Sequence, residues 1–413
     1  MPKDSSEAET IPSWMNLEFL ENVFKSDNID EDFEIKSFDI KRATAAGDNY
    51  LSLIYRATVQ ITKRGQSENR SLIIKCQPAG EAIQKVTKNY ELFEQEARML
   101  KDVLPAMHKL LREANVENFS PFSAKLLYSH FSSTLQVIVL EDLKESGFEM
   151  LERTAGLDQE HCMMVMRKLA QFHAASLVLK EKNPELLETL IDPISEEMVE
   201  KEFDKFFMNL LTDLCGEIEK NNEELKIYID KILKISERAA ARWAEGRKRI
   251  EKEFSVLAHG DAWVNNMLFH YSKEDNQLLD MRLVDYQMSL WTSPGVDLQY
   301  FLNSSPAMDL LVDQTMFIEE YHTVLGETLS ALGYQHLHIT LDHLNQLFEK
   351  RGFFGMLSIF GIRNIVMVDD ENIMDFDKIA NQIDVSYKFS KIYMESLKIQ
   401  VPLMEERGWL VTA

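Results

Sequence analysis

Residues 33–44, 50–63 and 70–77 alternate β-branched and aromatic side chains with polar ones, the two-residue period of strands that bury one face. Arg64-Gly65-Gln66-Ser67 separates the last two and predicts a turn. A short helix is expected before them, over residues 13–25. Residues 81–103 carry a helical pattern that Pro105 is expected to close. Two further strands are predicted over 123–131 and 134–140. Three strands, a helix and two strands make one α+β unit. From Asp158 the period changes to 3.6 residues, over 159–182 and again over 197–253. A short β-rich interval, 255–288, interrupts it, and the chain from Val296 onward reads as helical. The expected fold is therefore α+β in two lobes. A small β-rich N-terminal lobe spans 1–140 and a large, mostly helical C-terminal lobe spans 141–413. The boundary lies at Leu140-Glu141-Asp142-Leu143, where a cleft is expected.

Composition narrows the function. Of 413 residues, 45% are hydrophobic, enough for a sizeable core, and the net charge is −23. That charge argues against nucleic-acid binding, which needs a basic footprint, and against docking on anionic membranes. An anionic ligand would need local positive charge to overcome it. The longest apolar stretch, near 352–362, is too short to span a membrane and is expected to be a buried helix. Residues 1–10 are polar and acidic, without the basic and apolar regions of a secretory signal. Cys76, Cys162 and Cys215 are too few and scattered for a disulfide framework or a zinc site, and read as buried thiols. A cytoplasmic, monomeric protein is expected.

The strongest motif is Ala258-His259-Gly260-Asp261-Ala262-Trp263-Val264-Asn265-Asn266, a tight loop between two short apolar strands. Phosphoryl transfer uses such a pair: an Asp that orients the attacking hydroxyl, here Asp261, and an Asn whose oxygen holds Mg²⁺, here Asn266. Arg282-Leu283-Val284-Asp285-Tyr286-Gln287 follows, and Asp285 at the end of an apolar strand can face the same metal. Ser71-Leu72-Ile73-Ile74-Lys75 is an apolar strand ending in lysine. A buried lysine needs a partner, and Glu96 on the following helix is the candidate. The alternative is an edge strand with Lys75 in solvent. Gly47 and Asn49 lie in a turn ahead of that strand, which is either a plain hairpin or a loop covering phosphate. Asp297 either caps a helix or accepts amide hydrogens from the catalytic loop. His259 is expected to organise the loop, and His173 to be a satisfied core histidine.

Together these residues resemble the ecdysteroid kinase-like family, relatives of aminoglycoside phosphotransferases and choline kinases with the protein-kinase fold. His259-Gly260-Asp261-Ala262-Trp263-Val264-Asn265-Asn266 and Val284-Asp285-Tyr286-Gln287 are close to the family form. Aminoglycoside phosphotransferases usually carry Phe-Gly after the second Asp, where Tyr286-Gln287 stands here. The resemblance implies ATP and Mg²⁺ as cofactors and a small-molecule alcohol as acceptor. It implies Asp261 as catalytic base, Asn266 and Asp285 as metal ligands, and Lys75 with Glu96 as phosphate-positioning residues. Glu141 and Leu143 would meet adenine through their backbone groups. The N-terminal lobe would then bind nucleotide, and the C-terminal lobe would carry catalysis and the acceptor. An ecdysteroid or a xenobiotic alcohol is the expected acceptor. A choline-type kinase and a non-catalytic ligand-binding module of the same fold remain the alternatives.

Overall fold

The computed structural model describes residues 11–27, 33–43, 52–78, 84, 87–88, 91–192, 204–368 and 387–410. Its contacts divide the chain into a smaller unit, 1–79 with 124–146, and a larger one, 80–123 with 147–413. The segment 80–123 therefore goes with the larger unit, whereas the division drawn from sequence placed it with the strands.

The smaller unit opens with helix α1 (Leu17–Ser26), capped by Asn16, whose Oδ1 accepts the Phe19 N–H at 3.1 Å. Phe19, Leu20, Val23 and Phe24 fall on one face of α1 and pack into the core of a five-stranded antiparallel sheet. Its strands are β1 (Phe33–Arg42), β2 (Leu53–Lys63), β3 (Gln66–Cys76), β4 (Leu126–Phe131) and β5 (Gln136–Glu141), in the order β1-β2-β3-β5-β4. In β2, Tyr55, Ala57, Val59 and Ile61 are buried in alternation, as the period of two requires. Lys75 pairs with Ile54 on one side and Ile138 on the other. It is on the central strand and buried, so the edge-strand alternative does not apply. Just past β5, Asp142 accepts from Arg56 Nε at 2.5 Å and from Ser71 Oγ at 2.7 Å.

In the larger unit the helix expected to end at Pro105 runs on. Helix α2 (Leu92–Arg98) passes through a π-helical turn, Met99–Val103, into α3 (Leu104–Glu113), with Pro105 in its first turn. The wider turn shifts the hydrogen-bond register by a residue where proline has no N–H to give. Helix α4 (Gln159–Lys182) has the predicted span and is capped by Asp158, whose Oδ1 accepts the His161 N–H. The β-rich interval yields β7 (Val256–Ala258), β8 (Met267–Tyr271) and β9 (Leu278–Leu283); β8 pairs with β9 and with a short strand from outside the interval, β6 (Phe148–Glu149), and β7 pairs with β10 (Leu290–Thr292), just past its end. The stretch expected to be helical from 197 is broken where described, and ends in α5 (Ala239–Arg247). Helix α6 (Gly295–Ser304) is buried on every side, and α7 (Thr315–Ala331) packs on α4. The apolar stretch near 352–362 is helical and largely buried, as expected. Among the described residues no helix is long and apolar enough to cross a membrane. The described residues are thus α+β, with a five-stranded antiparallel sheet in the smaller unit and mostly helices in the larger.

The Asp142 carboxylate is nearly buried, and hydrogen bonds to charged groups there are worth more than those in solvent. Asp142→Ala is expected to lower the free energy of unfolding by about 2 kcal/mol. Urea denaturation measures it, and a change below about 0.5 kcal/mol would show the cluster to be dispensable.

Candidate active site

Loop residues 259–266 join β7 to β8. Gly260 has φ +81°, and a Cβ there would lie 2.1 Å from the Met288 carbonyl oxygen, so only glycine fits. The loop hangs on Asp297, in the first turn of α6. Its Oδ2 accepts the His259 N–H at 2.6 Å and its Oδ1 accepts the Gly260 N–H at 2.8 Å. His173 on α4 sits 3.0 Å from the same Oδ2, and its other ring nitrogen meets the Tyr321 hydroxyl at 2.7 Å. Asp297 thus supports the loop, and His173 is a satisfied core histidine. Burial pushes the Asp297 pKa up, but the hydrogen bond and charge of His173 and the hydrogen bond from the loop amide outweigh it and leave the carboxyl below its usual range.

His259 joins this loop to Val284, which lies between β9 and Asp285. Its Nε2 donates to the Val284 carbonyl at 3.1 Å, and its Nδ1 accepts the Asp261 N–H at 3.3 Å. Burial lowers its pKa, which keeps the ring neutral and able to both donate and accept. Val284 N–H donates to the Asn266 carbonyl at 3.0 Å, and Val264 N–H to Ser305 Oγ at 3.0 Å.

Asp261 is half-buried. Its Oδ2 accepts from Asn266 Nδ2 at 2.8 Å, and its Oδ1 from the Tyr300 hydroxyl at 2.6 Å. Its carboxyl is raised to about 6 by burial and then by the charge of Asp285, against the opposing effects of Tyr300, Asn266 and Arg247. Asn266 also gives its amide hydrogen to the Asp261 carbonyl at 2.9 Å. Both donor contacts of Asn266 go to Asp261, so its side-chain oxygen is the atom left to offer a cation. Asp285 lies two residues past β9 in the left-handed region, φ 66° and ψ 71°, just before the 3₁₀ turn Tyr286–Met288. Such a conformation in a non-glycine residue is held by its surroundings, and clusters at functional sites.

Asn266 and Asp285 are hard oxygen donors of the kind that hold Mg²⁺, and the repulsion between Asp261 and Asp285 is what a divalent cation would relieve. Among the described residues no group of three or more His, Cys, Asp or Glu could hold a metal by itself.

Lys75 and Glu96 are both buried, Lys75 in the smaller unit and Glu96 in the larger. Glu141 ends β5, with its N–H on the Lys125 carbonyl and its carboxylate on the Lys125 N–H, and the buried Leu143 begins an otherwise exposed 3₁₀ turn. Gly47 and Asn49 lie outside the described residues. Cys76, Cys162 and Cys215 are buried free thiols.

Trp263 is buried, and its indole nitrogen has no hydrogen-bond partner among the described residues. The sequence reading missed the hydroxyl of Tyr300 on Asp261 and the buried side chains of Gln95 and Arg247. Nothing in local spacing shows which aromatic residue turns its polar end to a carboxylate.

The ecdysteroid kinase-like family model matches residues 46–334, well over half of the chain. The chain belongs to the ecdysteroid kinase-like family. Every family residue discussed above, from Gly47 to Asp285, lies inside the matched span. No curated protein sequence matches the chain. Among solved structures, a Plasmodium vivax ethanolamine kinase aligns over 90% of this chain and 84% of its own, with 12% identity and a TM-score of 0.42. The GDP complex of wild-type aminoglycoside 2'-phosphotransferase-IIIa aligns over 95% of this chain and 99% of its own, with 13% identity and a TM-score of 0.38.

The Asp297 carboxyl sits below the value of the unfolded chain. Its stabilisation is therefore present above about pH 4 and is lost as the pH falls through the depressed folded value. Asp297→Asn should be less stable at neutral pH and should lose less further stability on acidification than this family member in its native form. Denaturant unfolding at a series of pH values tests it, and identical acid dependence of the two proteins would contradict it.

Proposed function

We propose that this protein is an ATP- and Mg²⁺-dependent kinase that phosphorylates a hydroxyl of a small lipophilic alcohol, an ecdysteroid or a xenobiotic. Family membership supports a small-molecule phosphotransferase in general. The observation that carries the finer reading is the Asp261 carboxylate, braced by Tyr300 and Asn266, with Asp285 close enough to raise its pKa.

Each Asp261 oxygen has one hydrogen bond in place and a second lone pair for an acceptor hydroxyl. Asp261 accepts the proton of that hydroxyl as its oxygen bonds to the γ-phosphorus of ATP. The bond from the γ-phosphorus to the bridging oxygen breaks, and ADP carries that electron pair away. Asn266 and Asp285 would hold Mg²⁺, which supplies charge neutralisation of the phosphates when bound. Lys75 would place the phosphates, and Glu141 and Leu143 would meet adenine through their backbone groups.

The surroundings of Tyr300 favour an uncharged acceptor. Its ring lies 5.9 Å from Phe354, which stacks with Trp243 at 6.5 Å. Two guanidinium groups already cover aromatic faces here, Arg242 over Phe353 at 3.4 Å and Arg247 near Trp243 at 5.7 Å. Choline or an aminoglycoside would bring more positive charge to rings that already carry it. A lipophilic alcohol gains from buried area instead.

Asp261→Asn is expected to cut turnover by about 10²–10⁴-fold while leaving ATP binding nearly intact. Steady-state kinetics beside calorimetric ATP titration measure both, and wild-type turnover in the variant would remove Asp261 as the base. With labelled ATP and equal concentrations of an ecdysteroid, choline and an aminoglycoside, label is expected mainly on the ecdysteroid. Label mainly on either cation would overturn the acceptor class.

A further inference from the structure

The left-handed backbone of Asp285 needs support on both sides. On its N-terminal side, Leu283 N–H donates to the Phe122 carbonyl at 2.8 Å and Val284 N–H to that of Asn266. On its C-terminal side, the carbonyls of Gln287, Met288 and Ser289 are each held by a buried side chain. Gln95 on α2, fully buried, directs Nε2 to Gln287 at 3.3 Å and to Ser289 at 3.0 Å. The same amide is anchored on Ile191, donating to its carbonyl at 2.9 Å and accepting its N–H at 3.0 Å. Arg247 on α5, also fully buried, directs Nη2 to Met288 at 3.2 Å and Nη1 to the Gly260 carbonyl at 2.9 Å. Ser289 Oγ adds a contact to the His259 carbonyl at 3.3 Å.

We infer that Gln95 and Arg247 are positioning residues for the metal site, which clamp the turn after Asp285 and so aim its carboxylate. This rests on the reading of Asp285 as a metal ligand. Neither side chain touches the reacting atoms. Gln95 neighbours Glu96 in sequence, so one helix bears both the proposed lysine partner and the clamp on the Asp285 turn. Arg247 joins the same turn to the carbonyl just before Asp261, across the close approach that only Gly260 permits. A buried guanidinium is costly unless its hydrogen bonds are used. Here two of them span the loops that carry Asp261 and Asp285. Deleting either clamp frees the turn, while the fold around it keeps its apolar packing.

The test is Mn²⁺ binding to the full chain in the presence of a non-hydrolysable ATP analogue, followed by the electron paramagnetic resonance of free Mn²⁺. Gln95→Met keeps the volume and removes the hydrogen bonds. Arg247→Lys keeps the charge and removes the two-carbonyl bridge. Each is expected to weaken Mn²⁺ about tenfold, as for the loss of a buried hydrogen bond or two. The double variant should lose less than the product of the two, because both act on one turn. Leu214→Ala, a core truncation in the helix Asp204–Asn221, controls for lowered stability and should bind Mn²⁺ as the unaltered protein does. Unchanged Mn²⁺ affinity in whichever clamp variant folds, or an equal loss in Leu214→Ala, overturns the inference alone. No Mn²⁺ binding by the unaltered protein overturns the reading of Asp285 with it.

Discussion

The carboxylate of Asp297 lies out of solvent and accepts from the His259 and Gly260 N–H groups and from His173. The loop that bears Asp261 is too short to hold a shape of its own, and its glycine has an unusual backbone angle. Two amides fixed to one rigid acceptor set its path. Asp297 sits in the first turn of α6, where the helix dipole favours negative charge, and α6 is buried on all sides. The helix α4 supplies His173, and α7 supplies the Tyr321 hydroxyl behind it. The loop geometry is thus inherited from the packing of helices, and removing the acceptor would leave buried N–H groups unpaired.

From that anchor the site extends by short links. His259, placed through its own N–H, bridges to Val284 and so ties the catalytic loop to the strand before Asp285. Asn266 gives its amide hydrogens to Asp261, which both braces that carboxylate and turns the amide oxygen to other use. Tyr300, on the helix that begins near Asp297, closes the arrangement from the other side. The residues proposed to act chemically are few, and Asp261 is braced by Tyr300 and Asn266.

Much of this was legible in the sequence because its causes are local. The span of α4 follows from an unbroken 3.6-residue period and an Asp cap, and the strands of the smaller unit follow from alternation and one turn. The nearness of Asp261, Asn266 and Asp285 to one another was foreseeable from spacing, since a tight loop and a hairpin leave little freedom. Pro105 misled, because its rule assumes a regular α-helix and the chain meets it with a π turn. Gln95, Arg247 and the hydroxyl of Tyr300 were invisible for a different reason. Each acts on a backbone group or carboxylate distant in sequence, and long-range polar contacts leave no periodic trace. Lys75 lay between: its strand was legible, but its central place in the sheet required the strand order.

The account rests on metal-dependent nucleotide binding by these residues, and calorimetric titration of ATP tests it most directly. The account predicts binding with Mg²⁺ present, a marked loss of affinity when Mg²⁺ is omitted, and no such difference in Asp285→Ala. Absence of ATP binding to the folded protein with Mg²⁺ present, or binding indifferent to both metal and Asp285, would contradict it.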